Sequence, residues 1–251
     1  MDLPALAVNG IEAIFFDMNG TLRQRIPDER WERKYSQRLL TMLGRPDAPA
    51  SFLGDLALRY QSYTRWADEE GKSLSEKEIW THWMAPELPR ELIEPQVVEL
   101  MLAFKRLKGP HVLKPDAVPI IAGLVQRGYR LGVISNTTST ADLPRFMVEW
   151  ELQEYFEVVV LSSVCGFRKP DPEIFWRASR ALGLDPDRCA YLGNNISRDV
   201  VGAHKAGFSL AMIIEPHTEI PQNERIYVEK PDLFLHKLAD LLVIFPPRTK
   251  K

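Results

Sequence analysis

The chain of 251 residues is predicted to be an α/β protein with a parallel sheet, helices on both of its faces and an inserted all-α cap domain. Two observations lead to this prediction. Short apolar runs alternate with helical patterns along the C-terminal part, which is typical of a parallel sheet. The first apolar run is separated from the others by a long stretch with helical periodicity only. The predicted core is therefore Rossmann-like and is interrupted after its first strand.

The apolar runs and the patterns between them define the elements of the core. The predicted strands are Ile11–Phe16, Leu131–Ser135, Val158–Leu161, Ala190–Gly193 and Ser209–Ile214. The predicted helices of the core are Asp116–Arg127, Leu143–Trp150, Pro172–Leu182 and Arg198–Ala206. Each strand is short enough to be buried between two layers of helices.

The segment from residue 23 to residue 110 is predicted to be the helical cap domain, without strands. Its predicted helices are Asp28–Leu43, Ser51–Glu70, Ser75–Met84 and Pro95–Lys108. Ser75 and Glu78 have the spacing of a capping box, which marks the start of a helix. The predicted domains are thus residues 1–22 with 111–251 as the core, and 23–110 as the cap.

Aromatic residues are concentrated in the cap segment, which holds four of the six tryptophans. They are Trp31, Trp66, Trp80 and Trp83, together with Tyr35, Tyr60 and Tyr63. We expect most of these side chains to form the cap's own core. The alternative is that one or two face the main domain and shape a substrate pocket.

Composition excludes several classes of function. The formal net charge of -2 provides no electrostatic basis for a nucleic-acid or membrane partner. No stretch approaches the ~20 apolar residues that a membrane span needs. The two cysteines, Cys165 and Cys189, lack metal-type spacing and are typical of a reducing compartment. We therefore expect a cytoplasmic protein without a nucleic-acid or membrane partner, while the oligomeric state stays open.

The sequence Asp17-Met18-Asn19-Gly20-Thr21 follows the first predicted strand directly. It is predicted to place a carboxylate at a tight glycine turn, beside hydroxyl and backbone donors. An aspartate in such a position is suited to nucleophilic catalysis, because a covalent intermediate divides one difficult step into two. Asn19, by contrast, carries an amide and cannot act as a general acid or base.

Three further polar clusters follow predicted strands. They are Ser135-Asn136, Lys169-Pro170-Asp171-Pro172 and the segment from Gly193 to Asp199, which includes Asn194. Ligands of open parallel sheets bind beyond the carboxyl ends of the strands. Each cluster alone is weak evidence, but together they predict one ligand site at that edge of the sheet.

These clusters, in this order, resemble the haloacid dehalogenase superfamily of hydrolases, over nearly the whole chain. Lys169-Pro170-Asp171-Pro172-Glu173-Ile174-Phe175 is similar to the dehalogenase-like and phosphoglycolate-phosphatase-like branch. The resemblance implies that Asp17 is the nucleophile and that Lys169 neutralises charge beside it. It also implies a phosphate-binding role for a larger set, comprising Gly20, Thr21, Ser135, Asn136 and Lys169.

The resemblance further implies a magnesium ion, with two departures in its site. Asp17, the carbonyl of Asn19, Asn194 and Asp199 would be the ligands. The family's phosphatases have aspartate at the positions of Asn19 and Asn194, where the first acts as general acid and base and the second binds metal. Asn194 offers only a neutral oxygen, so magnesium binding is expected to be weaker.

Three functions are consistent with this pattern. The first is a magnesium-dependent phosphatase that acts on a small phosphorylated metabolite through an aspartyl-phosphate at Asp17, with reduced activity. The second is a catalytically degenerate protein that binds a phosphorylated ligand or a partner. The third is a metal-independent haloacid dehalogenase, for which Arg23 and Arg25 are the nearest candidates to hold the halide.

Overall fold

The structure is a computed structural model that describes residues 8–214 and 229–248. The remaining parts of the predicted core domain, residues 1–7, 215–228 and 249–251, lie outside the described residues. The strands within the described ranges are β1 (Ala13–Phe16), β2 (Arg23–Arg25), β3 (His111–Leu113), β4 (Arg130–Ser135), β5 (Val158–Leu161), β6 (Cys189–Gly193), β7 (Leu210–Ile214) and β8 (Leu233–Leu235).

The helices follow the same chain order. They are α1 (Glu29–Met42), α2 (Ala50–Glu70), α3 (Glu76–Glu78), α4 (Arg90–Ile93), α5 (Val97–Arg106), α6 (Ala117–Gln126), α7 (Asp142–Glu149), α8 (Ser162–Cys165), α9 (Pro172–Ala181), α10 (Val201–Ala206) and α11 (Leu241–Ile244). A π-helical turn at Ile79–Met84 extends α3, and a second π-helical turn, at Ile196–Val200, precedes α10. Shorter helical turns lie at Glu94–Gln96, Pro186–Arg188 and Leu238–Asp240.

The described residues form a six-stranded sheet in the order β5-β4-β1-β6-β7-β8, and all neighbouring strands are parallel. The chain builds β4 and β5 on one side of β1 and then crosses to β6, β7 and β8 on the other. β1 therefore lies where the strand order reverses. Open α/β sheets bind their ligands at this point, and the predicted parallel α/β architecture is confirmed.

Both faces of the sheet are buried, as expected for parallel strands between helices. Ile14 and Phe16 lie in one apolar cluster with residues of α6, α7 and α11. Ala13 and Phe15 lie in a second cluster with residues of α9 and α10. The alternation along β1 explains why its sequence is apolar at every position.

Each of the five predicted core strands corresponds to a strand of the sheet, with boundaries that differ by at most two residues. The sixth, β8, was not predicted, because three residues are too few to produce a recognisable pattern. The expectation that no strand occurs in residues 23–110 is wrong at its first residues. There β2 pairs antiparallel with β3, so that Arg23 lies opposite Leu113 and Arg25 opposite His111. The three residues of β2 are charged or polar, so this strand gives no apolar signal.

The segment between β2 and β3, from α1 to α5, is called the helical insert here (residues 29–106). It has its own apolar cluster, in which Trp80 and Tyr63 are completely buried. The predicted capping box is present, because Ser75 Oγ accepts from the Glu78 amide while the Glu78 carboxylate accepts from the Ser75 amide. Trp31, Trp66 and Trp83 are partly buried against the same cluster.

Polar contacts join the insert to the loops at the carboxyl ends of the strands. Arg168 Nη2 lies 2.6 Å from Asp68 Oδ1 on α2. The buried carboxylate of Glu76 accepts from the Thr140 amide at 3.0 Å and from its hydroxyl at 2.9 Å. Tyr60 Oη lies 2.9 Å from Thr138 Oγ1. The insert therefore rests on the loops after β4 and before α9. Within the described ranges, no helix combines the length and apolar character needed to cross a membrane.

Gly132 on β4 shows how tightly the sheet is packed. A Cβ atom there would lie 2.5 Å from Cε1 of the buried Phe15 ring and 2.8 Å from Cγ1 of Val158. We predict that Gly132→Ala lowers the free energy of unfolding by about 1–3 kcal/mol through overpacking. Urea denaturation followed by circular dichroism measures this change.

The control is Gly54→Ala in α2, where a Cβ would meet no atom within 4 Å. Alanine has the higher helix propensity, by roughly 1 kcal/mol, so this variant should be at least as stable as the wild type. Equal stability of the two variants would show that the contact at Gly132 is relieved without cost.

Candidate active site

Asp17 follows β1 directly and lies at the centre of the sheet's carboxyl edge. Its backbone amide donates to the carbonyl of Leu192 at 2.9 Å, which continues the pairing of β1 with β6. The side chain is 10% exposed. Lys169 Nζ contacts Asp17 Oδ1 at 2.9 Å, whereas Oδ2 receives no hydrogen bond from the described residues. One carboxylate oxygen is thus held in place and the other is available.

Lys169 joins three elements at this edge. Its buried ammonium lies 2.9 Å from Asp17 Oδ1, 2.7 Å from Asp199 Oδ1 and 2.7 Å from Tyr191 Oη on β6. The side-chain amide of Asn136 fixes its backbone, accepting from the Lys169 amide at 2.8 Å and donating to its carbonyl at 2.9 Å. One cation therefore balances two carboxylates in a region with little solvent.

Asp199 is almost fully occupied by protein donors. Besides Lys169 at Oδ1, its Oδ2 accepts from the backbone amides of Asn194 at 3.0 Å and Asn195 at 2.9 Å. The Tyr191 hydroxyl lies 3.2 Å from Asp199 Oδ1 and 3.2 Å from the carbonyl of Ile134, and it has one proton for the two. Asp199 thus holds the loop after β6 against the lysine.

The two carboxyl groups respond differently to burial. Burial raises the pKa of Asp17, and the neighbouring ammonium of Lys169 offsets this only in part. For Asp199 burial also opposes ionisation, but Lys169 and the backbone donors outweigh it and lower its pKa. Burial and the nearby carboxylates raise the pKa of Tyr191 well above its ordinary value, so the phenol stays protonated.

The other predicted site residues occupy the surrounding loops. Ser135 ends β4 and is buried, and its hydroxyl makes no hydrogen bond to the described residues. Gly20 has φ +84°, and a Cβ there would collide with the side-chain amide of Asn194. The loops carrying Asn19 and Asn194 therefore touch. Thr21 is completely buried, and its hydroxyl has no partner among the described residues.

Asn19 is held by Arg23, a residue predicted from the sequence only as a candidate halide ligand. Arg23 Nε donates to Asn19 Oδ1 at 2.8 Å, and Arg23 Nη2 contacts Asp142 Oδ2 at 2.8 Å. Burial disfavours ionisation of Asp142, yet the charge of Arg23 keeps its pKa below the ordinary value. Burial and the cations Arg23 and Arg25 lower the pKa of His111 to about 3. His111 is thus neutral, and the ion pair of Asp142 is with Arg23.

A cavity of about 1240 Å³ opens within the helical insert. Arg25, Tyr60 and Lys105 lie on its wall, with apolar side chains such as Leu53 and Phe104. Burial opposes ionisation of Tyr60, but the charge of Lys105 outweighs it and lowers the pKa of the phenol. Tyr60 also reaches Thr138, so this wall adjoins the loop that follows Ser135.

Neither Tyr191 nor Asp142 was predicted as part of the site, and Arg23 was predicted only as a candidate to hold a halide. Tyr191 belongs to a strand that reads as continuously apolar. Asp142 is distant in sequence and lies within a predicted loop. Arg23 follows Asn19 by four residues. This spacing indicates a contact between them only when the turn of the backbone at Gly20 is known.

The site combines a buried carboxylate, a lysine and a second carboxylate at the point where the strand order of the parallel sheet reverses. This is the type of hydrolase site that the sequence resembles. A family model for haloacid dehalogenase-like hydrolases matches residues 11–207. The chain belongs to this family.

Similar curated proteins include the phosphoserine phosphatase of Thermus thermophilus, which is 29% identical over 224 residues, or 78% of this chain and 86% of that protein. The glyceraldehyde 3-phosphate phosphatase of Methanothermobacter thermautotrophicus is 33% identical over 127 residues. That alignment covers 51% of this chain and 54% of that protein, so the chain spans about half of this relative's length.

Two solved structures are similar in fold. The HAD phosphatase of Thermococcus onnurineus has a TM-score of 0.61 and 24% identity, covering 94% of this chain and 99% of that one. The 2-haloacid dehalogenase of Pseudomonas syringae has a TM-score of 0.66 and 22% identity, covering 93% and 97%. At these identities the likeness shows the fold alone.

We predict that Lys169→Met destabilises the protein by about 3–5 kcal/mol near pH 8, because two buried carboxylates lose their counter-charge. Their folded-state pKa values then rise above the unfolded values. The folded variant would bind protons that the unfolded chain releases, so the loss should shrink as the pH is lowered towards about 5. Urea denaturation at both pH values measures it.

The control is Lys77→Met, which removes an exposed ion pair with Glu94. Its cost should stay below about 1 kcal/mol at either pH. A loss at Lys169 that is equal at the two pH values would contradict the assignment of a shared buried charge.

Proposed function

We propose that the protein is a phosphatase that acts on a small phosphorylated substrate, with Asp17 as the nucleophile. The observation that carries this proposal is the unequal environment of the Asp17 oxygens. Lys169 holds Oδ1, while Oδ2 is free of hydrogen bonds from the described residues. A nucleophile oriented by a fixed cation is what phosphoryl transfer requires, because catalysis depends mainly on alignment and charge neutralisation.

In the first step, Asp17 Oδ2 attacks phosphorus and forms an acyl-phosphate bond while the bond to the leaving oxygen breaks. The leaving oxygen takes the electron pair. In the second step, water attacks phosphorus, the bond to Asp17 breaks and the carboxylate is restored, with one proton passing to solvent. Lys169 neutralises charge in both steps, and the free hydroxyl of Ser135 is suited to donate to a phosphate oxygen.

The substrate class is supported by the curated relatives, two of which are named for phosphoserine and glyceraldehyde 3-phosphate. Both names describe small phosphorylated metabolites. Neither substrate is assigned to this chain.

Asn19 makes the second step slow in this proposal. Without a carboxylate to accept a proton from water, hydrolysis of the aspartyl-phosphate loses a contribution of typically ~10²–10⁴-fold. The phosphorylated enzyme should therefore accumulate.

The donors at the site fit a magnesium ion only in part. Both oxygens of Asp199 are occupied, and the described residues contain no group of three or more His, Cys, Asp or Glu that could hold a metal ion. Asp17 Oδ2, the carbonyl of Asn19 and the amide oxygen of Asn194 remain. Magnesium is commonly held by one or two carboxylates together with substrate phosphate, so these residues fit an ion shared with the substrate. Bound there, it would neutralise phosphate charge.

A second candidate is the metal-independent haloacid dehalogenase. It is favoured by Arg23, whose Nη1 has no hydrogen-bond partner among the described residues although the side chain is buried. A halide leaves without a proton, so this reaction would not need an acid at position 19.

We predict a burst of nitrophenol from p-nitrophenyl phosphate with magnesium, about stoichiometric with enzyme, followed by slow turnover. Peptide mass spectrometry should then find a phosphoryl group on Asp17. Asp17→Asn should abolish the label and lower turnover by about 10³-fold or more, as expected for loss of a nucleophile.

Asp47→Asn, in the exposed loop between α1 and α2, is the matched control and should retain both the burst and the label. Release of halide from 2-chloropropionate without metal would replace the phosphatase by the dehalogenase. If neither substrate reacts, the degenerate ligand-binding protein is the remaining function.

Magnesium affinity provides a separate prediction. By isothermal titration calorimetry, we expect magnesium to bind weakly alone and at least ~10-fold more tightly with inorganic phosphate present, the scale on which metal-site partners act. Asn194→Asp should tighten binding without phosphate, because it adds a charged ligand.

Asn9→Asp adds the same charge before β1, at the opposite end of the strand, and should leave magnesium binding unchanged. Tight binding to the wild type without phosphate would contradict a shared ion.

A further inference from the structure

Arg23 is a buried cation directly beneath Asn19. Its side chain is 2% exposed, and its guanidinium carbon lies 4.7 Å from the centre of the Phe146 ring. Burying a charge is costly unless it is paired and hydrogen-bonded. The partners of this guanidinium are Asn19 Oδ1 and Asp142 Oδ2, each at 2.8 Å. The backbone adds a contact, because the Gly20 amide donates to the Arg23 carbonyl at 2.8 Å.

The contact with Arg23 fixes the orientation of the Asn19 amide. Arginine has hydrogen-bond donors and no acceptor, so the atom of Asn19 that faces it must be the oxygen. The NH₂ group of Asn19 is therefore directed away from Arg23. Asn19 is partly exposed and no described residue accepts a hydrogen bond from its NH₂ group, so this group is available to a ligand.

We propose that Arg23 is a positioning residue that holds Asn19 as a fixed hydrogen-bond donor to the leaving-group oxygen. This restricts the enzyme to phosphorylated substrates whose leaving group departs as a stable anion, namely acyl, enol and aryl phosphates. The inference rests on the proposed phosphatase function and adds its substrate class.

The first step, transfer of the phosphoryl group to Asp17, needs no proton donor. As Asp17 Oδ2 bonds to phosphorus, the bond to the leaving oxygen breaks and that oxygen keeps the electron pair. The Asn19 NH₂ donates a hydrogen bond to the developing anion and transfers no proton. A carboxylate, phenolate or enolate is stable enough to leave in this way, whereas an alkoxide is not.

Arg23 also determines what an acid at position 19 could do. In Asn19→Asp the carboxylate would accept charge-assisted hydrogen bonds from the guanidinium, which hold it turned away from the leaving-group oxygen. This variant should therefore remain unable to hydrolyse alkyl phosphates. Removal of Arg23 as well would free the carboxyl group to act as an acid.

The test measures kcat/KM with magnesium for one aryl phosphate, p-nitrophenyl phosphate, and one alkyl phosphate, glycerol 2-phosphate. Four proteins are compared: wild type, N19D, R23M and N19D/R23M. The wild type and N19D should both react with the aryl ester only. N19D/R23M should gain about 10²-fold or more on the alkyl ester, within the range of general acid catalysis. R23M should lower kcat/KM on the aryl ester, because this constant reports the first step, without creating alkyl activity.

Loss of Arg23 leaves Asp142 buried and unpaired, so folding needs its own control. If R23M unfolds, R23M/D142N removes both partners of the pair and replaces it in each comparison. R23K should not restore the wild-type rate, because an ammonium lacks the planar fork that contacts Asn19 and Asp142 together.

A readout that does not depend on turnover is the ¹⁵N resonance of the Asn19 side-chain amide. In the wild type its NH₂ signals should be distinct and should shift when inorganic phosphate is added. In R23M the amide should rotate and the shift should be lost. An unphosphorylated enzyme that still shows this Arg23-dependent shift would refute the proposed function and keep the positioning role. Equal efficiency of the wild type on both esters, or a phosphate-induced shift that persists in R23M, would overturn the inference.

Discussion

The position of one ammonium group, Lys169 Nζ, determines the arrangement of this site. It contacts Asp17 after β1, Tyr191 on β6 and Asp199 in the helical turn that precedes α10. The sheet brings these elements together. Without the cation, the carboxylates of Asp17 and Asp199 would repel each other. The amide of Asn136 holds the lysine backbone, which ties the loop after β4 to the same point. The sheet therefore positions the charges, and the lysine makes their closeness tolerable.

Asn19 and Asn194 follow a common logic in this setting. Two further carboxylates here would face Asp17 and Asp199 with a single buried lysine between them. Amides keep hydrogen-bonding capacity and remove that repulsion. The second cation, Arg23, is balanced separately by Asp142. The charges of the side chains at the site thus nearly balance each other. This is consistent with weak metal binding in the absence of substrate.

Much of the architecture could be predicted from the sequence, since strand and helix periods are local properties. The apolar run before Asp17 and the run before Ser135 form adjacent strands. Lys169 lies beside Asp17, as the clustering of polar segments at one edge of the sheet predicts. The partners of Asn19 could not be predicted. Arg23 reaches it through the turn at Gly20, and Asp142 joins from a helix far along the chain. Such contacts depend on side-chain direction and tertiary packing, which have no period in the sequence.

The ribbon of β2 and β3 has a consequence for how such a chain can change over evolution. The points at which the chain leaves and re-enters the α/β body are hydrogen-bonded neighbours. With respect to the α/β body, the helical insert is therefore equivalent to one hairpin loop whose stem is the pair of β2 and β3. The entropy of closing a loop grows only slowly with its length. Insertions, deletions and exchanges of whole helices beyond the stem therefore leave the pairing of the strands intact, whereas they alter the contacts that the insert makes with Thr138, Thr140 and Arg168.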